Sequence, residues 1–217
     1  MQEWFATHYE VLKDFSAPAL TIIGFIITLL IAVAGFQSFK KWRRQQIEER
    51  RFETALDALA VTYESKYVFD NIRSPMVFEY EWDDMQRRPG EPEEIWQQRG
   101  AFFAVKQRII NHRDYFERVY KLQPRVMALL GQKTEQVFML MHKARREIEV
   151  AADMLAWRVQ NPIGPEPNHD EEFWRQCKRD IYDYGDFEPD KDKVGKKLVD
   201  FRKEMEALCR PVIDKGI

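Results

Sequence analysis

The longest apolar segment of the chain lies near its N-terminus. No charged residue occurs between Asp14 and Lys40, so the 25 positions from 15 to 39 carry no charge. A helix that crosses the hydrocarbon core of a bilayer needs about 20 such residues. Eleven of the twenty residues from 17 to 36 are Leu, Ile, Val or Phe, and together they favour insertion by roughly 3 to 7 kcal/mol. The pattern predicts a transmembrane helix over residues 17–39.

The same segment also has features of a cleaved export signal. The tripeptide AVA at 32–34 has the small-x-small pattern that signal peptidase recognises. A signal peptide begins with a basic region, however, whereas residues 1–16 contain three acids and one base. The basic residues follow the apolar segment instead, in residues 40–51. We therefore predict an uncleaved anchor, with a cleaved signal as the alternative.

The basic segment at 40–51 predicts the orientation of the span. Cytoplasmic flanks of membrane helices are enriched in Lys and Arg, so the tail at 1–16 is predicted to lie outside the cytoplasm and residues 52–217 inside it. The expected location is the cell's inner, or plasma, membrane. Anionic lipid headgroups attract such a juxtamembrane segment by about 1 kcal/mol per basic residue. The residues predicted to contact lipid are Lys40, Lys41, Arg43 and Arg44.

Small and hydroxyl side chains form one stripe along the predicted span. They recur at steps of four, three, four, four and three residues, which places them on one face of a helix. Membrane helices associate through small residues that allow close approach and through hydroxyls that bond across. We predict that this face contacts a second copy of the chain or another membrane protein; the alternative is that small residues are simply common in spans. The stripe consists of Ala17, Thr21, Gly24, Thr28, Ala32 and Gly35.

The rest of the chain has helical periodicity. No Pro or Gly occurs between Gly35 and Pro75, so the first helix is predicted to continue beyond the span. Further apolar seams with alternating three- and four-residue steps begin near Glu93, Val137 and Val194. We predict an all-α protein, in which a single N-terminal transmembrane helix is followed by an antiparallel helical bundle over residues 52–217.

Some details of the bundle are also predicted. The seam of the second helix continues through His112 to Val119, and a short connecting helix over 122–131 ends at Gly131. In the first helix, apolar and aromatic residues recur at helical spacing. They are Phe52, Leu56, Leu59, Tyr63 and Tyr67.

Charge and composition restrict the partners. The net charge is −2, and the only basic cluster adjoins the predicted span, so we expect membrane lipids and no nucleic acid as partners. The mean hydropathy is −0.55 even with the span included, which indicates a polar, water-exposed remainder. Cys177 and Cys209 form no CxxC pair and fit a reducing compartment.

No catalytic, cofactor or metal site is predicted. The four histidines do not have metal-ligand spacing with each other or with Cys. His112 lies on an apolar seam, where a core histidine bonded to a neighbouring helix is the simpler interpretation and a catalytic or pH-sensing role the alternative. The tripeptide HRD at 112–114 lacks the Asn that kinases have five residues after the Asp.

One loop has a composition that suits binding. After the first helix, Phe78, Tyr80 and Trp82 alternate with acidic residues. A loop folded over the bundle is the simpler interpretation, and an edge that binds a partner is the alternative.

These patterns favour interaction over catalysis. We expect a membrane-anchored scaffold, adaptor or signal-relay module with an unknown cytosolic protein partner. The alternative is a membrane effector of a stress or defence system, whose oligomerising span perturbs the bilayer. An enzyme that acts on lipid or nucleotide is a weaker third possibility.

Overall fold

Helices make up most of the part of the chain that the structure describes. The computed structural model describes residues 2–161, 169–185 and 191–214, without the side chains of residues 2–19 and 169–170. These ranges contain no β-strand, which confirms the predicted all-α fold. A 3-10 helix covers Glu79–Trp82. The α-helices are α1 (Gln2–Ile72), α2 (Glu93–Asn111), α3 (Arg113–Leu130), α4 (Lys133–Gln160), α5 (His169–Ile181) and α6 (Lys193–Asp214).

The predicted continuity of the first helix is confirmed. α1 is a single helix of 71 residues, because no Pro or Gly breaks its hydrogen bonds between Gly35 and Pro75. Its start at Gln2 is earlier than the predicted start of the span at residue 17. Internal contacts divide the chain into two units, residues 1–49 and residues 50–217. The first unit is helical from Gln2 onward.

The second unit is an antiparallel helical bundle with α4 in contact with α2, α3, α5 and α6. Lys106 of α2 pairs with Asp153 of α4, and Arg88, just before α2, bonds to Gln160 at the end of α4. The two helices therefore run in opposite directions. α3 and α6 each run antiparallel to the last third of α1. Arg118 pairs with Glu64 and Arg125 with Asp57, and Tyr63 bonds to Glu206 whereas Arg73 bonds to Asp192.

Aromatic side chains fill the centre of the bundle. Phe69 of α1 meets Phe116 of α3 edge to face, with ring centroids 6.0 Å apart. Phe138 of α4 lies 6.2 Å from Phe201 of α6. All four are almost fully buried, and the burial of such a side chain contributes about 1.5 to 3 kcal/mol. These contacts join four helices into one core.

The buried face of α1 differs from the aromatic periodicity in its sequence. Leu59 is buried and Phe52 is half-buried, but Leu56, Tyr63 and Tyr67 are exposed. Small side chains face the core instead, because they let α1 approach its neighbours closely. The buried small residues are Thr54, Ala55, Ala58, Thr62 and Ser65.

The predicted boundaries of the second helix were wrong. α2 ends at Asn111, and His112 has φ −94° and ψ 17°, so the seam is divided between two helices. α3 then continues through Pro124 to Leu130, which replaces the separate connecting helix predicted over 122–131. The predicted end at Gly131 is confirmed. Its φ of +106° lies in the region that favours glycine.

Candidate functional site

The apolar segment of α1, residues 20–39, is long and hydrophobic enough to cross a membrane. An 18-residue window within Leu20–Ile72 has a mean hydropathy of 2.3, and none of it is buried by the rest of the chain. The core helix of a soluble protein is mostly buried and does not match that exposure. A signal sequence near the N-terminus meets the same criteria of length and composition.

The predicted stripe of small residues is open on the surface of this chain. A Cβ atom added at Gly24 or Gly35 would meet no atom within 4 Å. The Thr28 hydroxyl donates to the Gly24 carbonyl within the same helix at 2.8 Å, so it does not need a partner across an interface. Ala17 lies among the residues whose side chains are not described. The described members of the stripe, all exposed, are Thr21, Gly24, Thr28, Ala32 and Gly35.

The four residues predicted to contact lipid are also exposed. Lys40 places its Nζ atom 4.5 Å from the centroid of the Phe36 ring. Arg44 pairs with Glu48 at 3.0 Å, but both side chains are more than half exposed, and such pairs contribute little. Lys41 and Arg43 are exposed as well. The segment therefore presents a basic surface.

A buried arginine fixes the loop that follows α1. Arg108 of α2 donates from Nη1 to the Ser74 carbonyl at 2.7 Å and from Nη2 to the Met76 carbonyl at 2.6 Å. The same guanidinium pairs bidentately with Glu81, whose Oε1 also accepts from the Phe78 N–H. The bond from Arg108 lowers the pKa of Glu81 below its ordinary value of 4.5, against the opposing effect of burial. Glu81 is therefore ionised at neutral pH.

A second buried arginine joins three helices. Arg73, directly after α1, pairs with Asp192 at 2.8 and 3.0 Å and donates to the Arg179 carbonyl of α5 at 2.8 Å. Asp192 also accepts the N–H of Gly195 in the first turn of α6 at 2.8 Å, as a helix N-cap does. Sequence reasoning missed both arginines. For Arg108 a signal was available, since it lies between Val105 and Ile109 on the apolar face of α2.

The two histidines whose side chains the structure describes, His112 and His142, have structural partners. Nε2 of His112 lies 3.0 Å from Oδ1 of Asn71 on α1, which confirms the predicted bond to a neighbouring helix. His142 bonds to Gln123 at 2.9 Å and stacks on Tyr120 at 4.7 Å. Burial lowers the pKa of both imidazoles, and the charge of Arg145 adds to the effect at His142.

Both cysteines are packing residues. Cys177 and Cys209 are buried free thiols. Burial raises the pKa of each, that of Cys209 to about 11, which disfavours the thiolate that nucleophilic chemistry needs. Within the described residues, no group of three or more His, Cys, Asp or Glu is placed to hold a metal ion.

The aromatic loop both folds over the bundle and remains open. Trp82 packs over Gly100, where an added Cβ would lie 2.7 Å from the indole ring. Phe78 and Tyr80 point outward, with rings stacked at 5.6 Å and an interplanar angle of 10°. Trp82 therefore fits the interpretation of a loop folded over the bundle, whereas Phe78 and Tyr80 are exposed to solvent.

One groove on the surface of the bundle is lined by apolar side chains and by charged side chains. This groove of about 610 Å³ between the α2–α3 pair and α4 has Ile109, Ile110 and Phe116 among its lining residues. Charged side chains at the same groove are paired with each other, as in Arg145–Glu149 and Lys106–Asp153.

Comparison of the chain with protein-family models, curated proteins and solved structures gave no match.

Proposed function

We propose that this protein is a membrane-anchored interaction module. Its apolar segment crosses the inner membrane, and its helical bundle lies in the cytosol and binds a protein partner there. The observation that carries the proposal is the complete exposure of the apolar window in α1. Leu20, Phe25 and Ile31 are each about two thirds exposed or more, and each would gain about 1.5 to 3 kcal/mol from burial in an apolar medium. A bilayer supplies that burial.

The charge distribution supports the orientation. The basic surface at Lys40, Lys41, Arg43 and Arg44 directly follows the apolar segment, and residues of this kind are retained on the cytoplasmic side. Their contact with anionic headgroups strengthens the anchor.

The interior of the bundle supports an interaction role. Arg73 and Arg108 hold loops and helix ends in place, and the two buried thiols have raised pKa values. These buried groups stabilise the fold, and we place partner binding on the surface of the bundle.

A topology experiment tests the proposal. Two reporters are fused after Ile217, one active only in the cytosol and one active only outside it, and the size of the membrane-bound product is measured. An intact chain with a cytosolic C-terminus supports the proposal. A product shortened near Ala34 and exported would mean that the segment is a signal peptide, and the proposal would fail.

The open stripe favours a second candidate, a membrane effector whose span oligomerises. The backbone at Gly24 and Gly35 is not covered by side chains of this chain, so a second membrane helix can approach it closely. Gly24→Leu with Thr28→Leu is then expected to abolish crosslinking within the membrane and any toxicity on overexpression. Ile26→Leu with Leu30→Ile, on the opposite face, is the matched control. Unchanged crosslinking in the first variant would exclude this face as an interface.

A further inference from the structure

The loop between α1 and α2 carries an exposed apolar surface. Phe78 is 48% exposed and Tyr80 is 71% exposed, and their rings stack against each other. Met76, two residues before Phe78 in the same loop, is 65% exposed. Single exposed apolar residues are ordinary, whereas adjacent ones mark interaction sites. We call Met76, Phe78 and Tyr80 the aromatic platform.

The platform is held rigid from beneath. Arg108 bonds to the carbonyls of Ser74 and Met76 and to the carboxylate of Glu81, so its fork spans the loop on both sides of Phe78. Trp82 anchors the end of the loop against Gly100. A surface that is ordered before binding loses less conformational entropy when a partner docks. Two stacked aromatic rings in such a loop have the properties of a binding hot spot.

The charges around the platform are unbalanced. Glu79, Asp83 and Asp84 are exposed and have no ion pair among the described residues. In the same loop between α1 and α2, by contrast, Glu81 and Glu91 are each paired with an arginine. Of the two arginines in the second half of this loop, Arg87 pairs with Glu93 and Arg88 bonds to Gln160, so the three unpaired acids still outnumber the one arginine without a carboxylate partner among the described residues. This excess of negative charge attracts positive charge and repels the anionic headgroups of a bilayer.

Elsewhere in this chain, aromatic rings are covered by its own arginines. Arg145 lies 4.4 Å from the centroid of Phe116, and Arg158 lies 4.7 Å from that of Trp174. In the described part of the chain, no cation lies over Phe78 or Tyr80. Guanidinium groups stack favourably on such rings. We propose that the aromatic platform docks a cationic segment of a partner protein, in which arginine or lysine alternates with apolar residues.

This inference rests on the proposed interaction role and names the chemistry of its partner. The test uses the full chain in nanodiscs of zwitterionic lipid and a fluorescent peptide of alternating arginine and leucine. Fluorescence anisotropy measures the dissociation constant. Phe78→Ala with Tyr80→Ala is expected to weaken binding by about tenfold or more. Asp83→Asn with Asp84→Asn is expected to weaken binding and to reduce its dependence on salt.

Tyr67→Ala provides the matched control, because Tyr67 is an aromatic residue on α1 that is 74% exposed and does not belong to the aromatic platform. It is expected to bind the peptide like the wild type, and all variants are checked for unchanged helicity. The proposal is overturned if the double alanine variant binds normally, or if a peptide of alternating glutamate and leucine binds equally well. It is also overturned if the alanine variant loses binding to anionic vesicles instead. The topology experiment does not involve this loop, so a failure of the proposed function can be told apart from a failure of this inference.

Discussion

The guanidinium of Arg73 pairs with the carboxylate of Asp192, which lies 119 residues further along the chain. The pair joins the end of α1 to the start of α6 and is largely buried on the arginine side. The same carboxylate accepts the N–H of Gly195. One side chain thus serves as helix cap and as ion-pair partner.

Gly195→Ala is expected to destabilise the bundle by about 1 to 3 kcal/mol, the usual cost of overpacking. A Cβ at this position would overlap Oδ2 of Asp192, so the carboxylate would have to leave Arg73 or the cap. The measurement is the free energy of unfolding in urea. Val199→Ala, at an exposed position of the same helix, is the control. A Gly195→Ala variant as stable as the wild type would contradict the prediction.

Arg108→Ala is expected to cost about 3 to 5 kcal/mol of stability, because it leaves the carboxylate of Glu81 partly buried and unpaired. It also removes the donors that the Ser74 and Met76 carbonyls bond to. Arg113→Ala is the control, since its pair with Glu117 is exposed and should contribute little. The measurement is the thermal unfolding of both variants. Equal stabilities would show that the buried pair does not stabilise the fold more than the exposed one.

The contribution of Glu81 is expected to depend on pH. Its pKa in the folded state lies below the ordinary value of 4.5 because Arg108 bonds to it. The stabilisation is therefore present above about pH 4.5 and is lost as the pH falls through the lower, folded-state pKa. The difference in unfolding free energy between the wild type and Glu81→Gln should be largest near neutral pH and should narrow in acid. A difference that stays constant down to pH 2 would refute this cause.

Cys177 and Cys209 are expected to resist alkylation in the folded protein. Burial raises the pKa of both thiols, that of Cys209 to about 11, so little thiolate forms at pH 8 and reagents have little access. Iodoacetamide labelling followed by mass spectrometry should show slow modification in buffer and rapid modification of both residues in denaturant. Rapid labelling of either residue in buffer would show that its site is open.

Much of the fold could be predicted from local patterns. The continuity of α1 beyond the apolar segment follows from the absence of Pro and Gly between Gly35 and Pro75. The end of α3 follows from Gly131. The seams that begin near Val137 and Val194 correspond to α4 and α6. Near the end of α6 the alternating steps of the seam lead to Leu208 and Val212, whereas the buried residues are Cys209 and Ile213. Periodicity alone does not specify this change.

The all-helical fold and the apolar segment near the N-terminus could be read from the sequence, because helix formation and transfer from water depend on neighbouring residues. Three features required the folded structure: the buried face of α1, the break of the second seam at His112, and the carboxylates that pair with the buried arginines. Those outcomes depend on contacts between residues far apart in the chain. Arg108 meets Glu81 across 27 positions and Arg73 meets Asp192 across 119, and periodicity within a single helix contains no information on either pair.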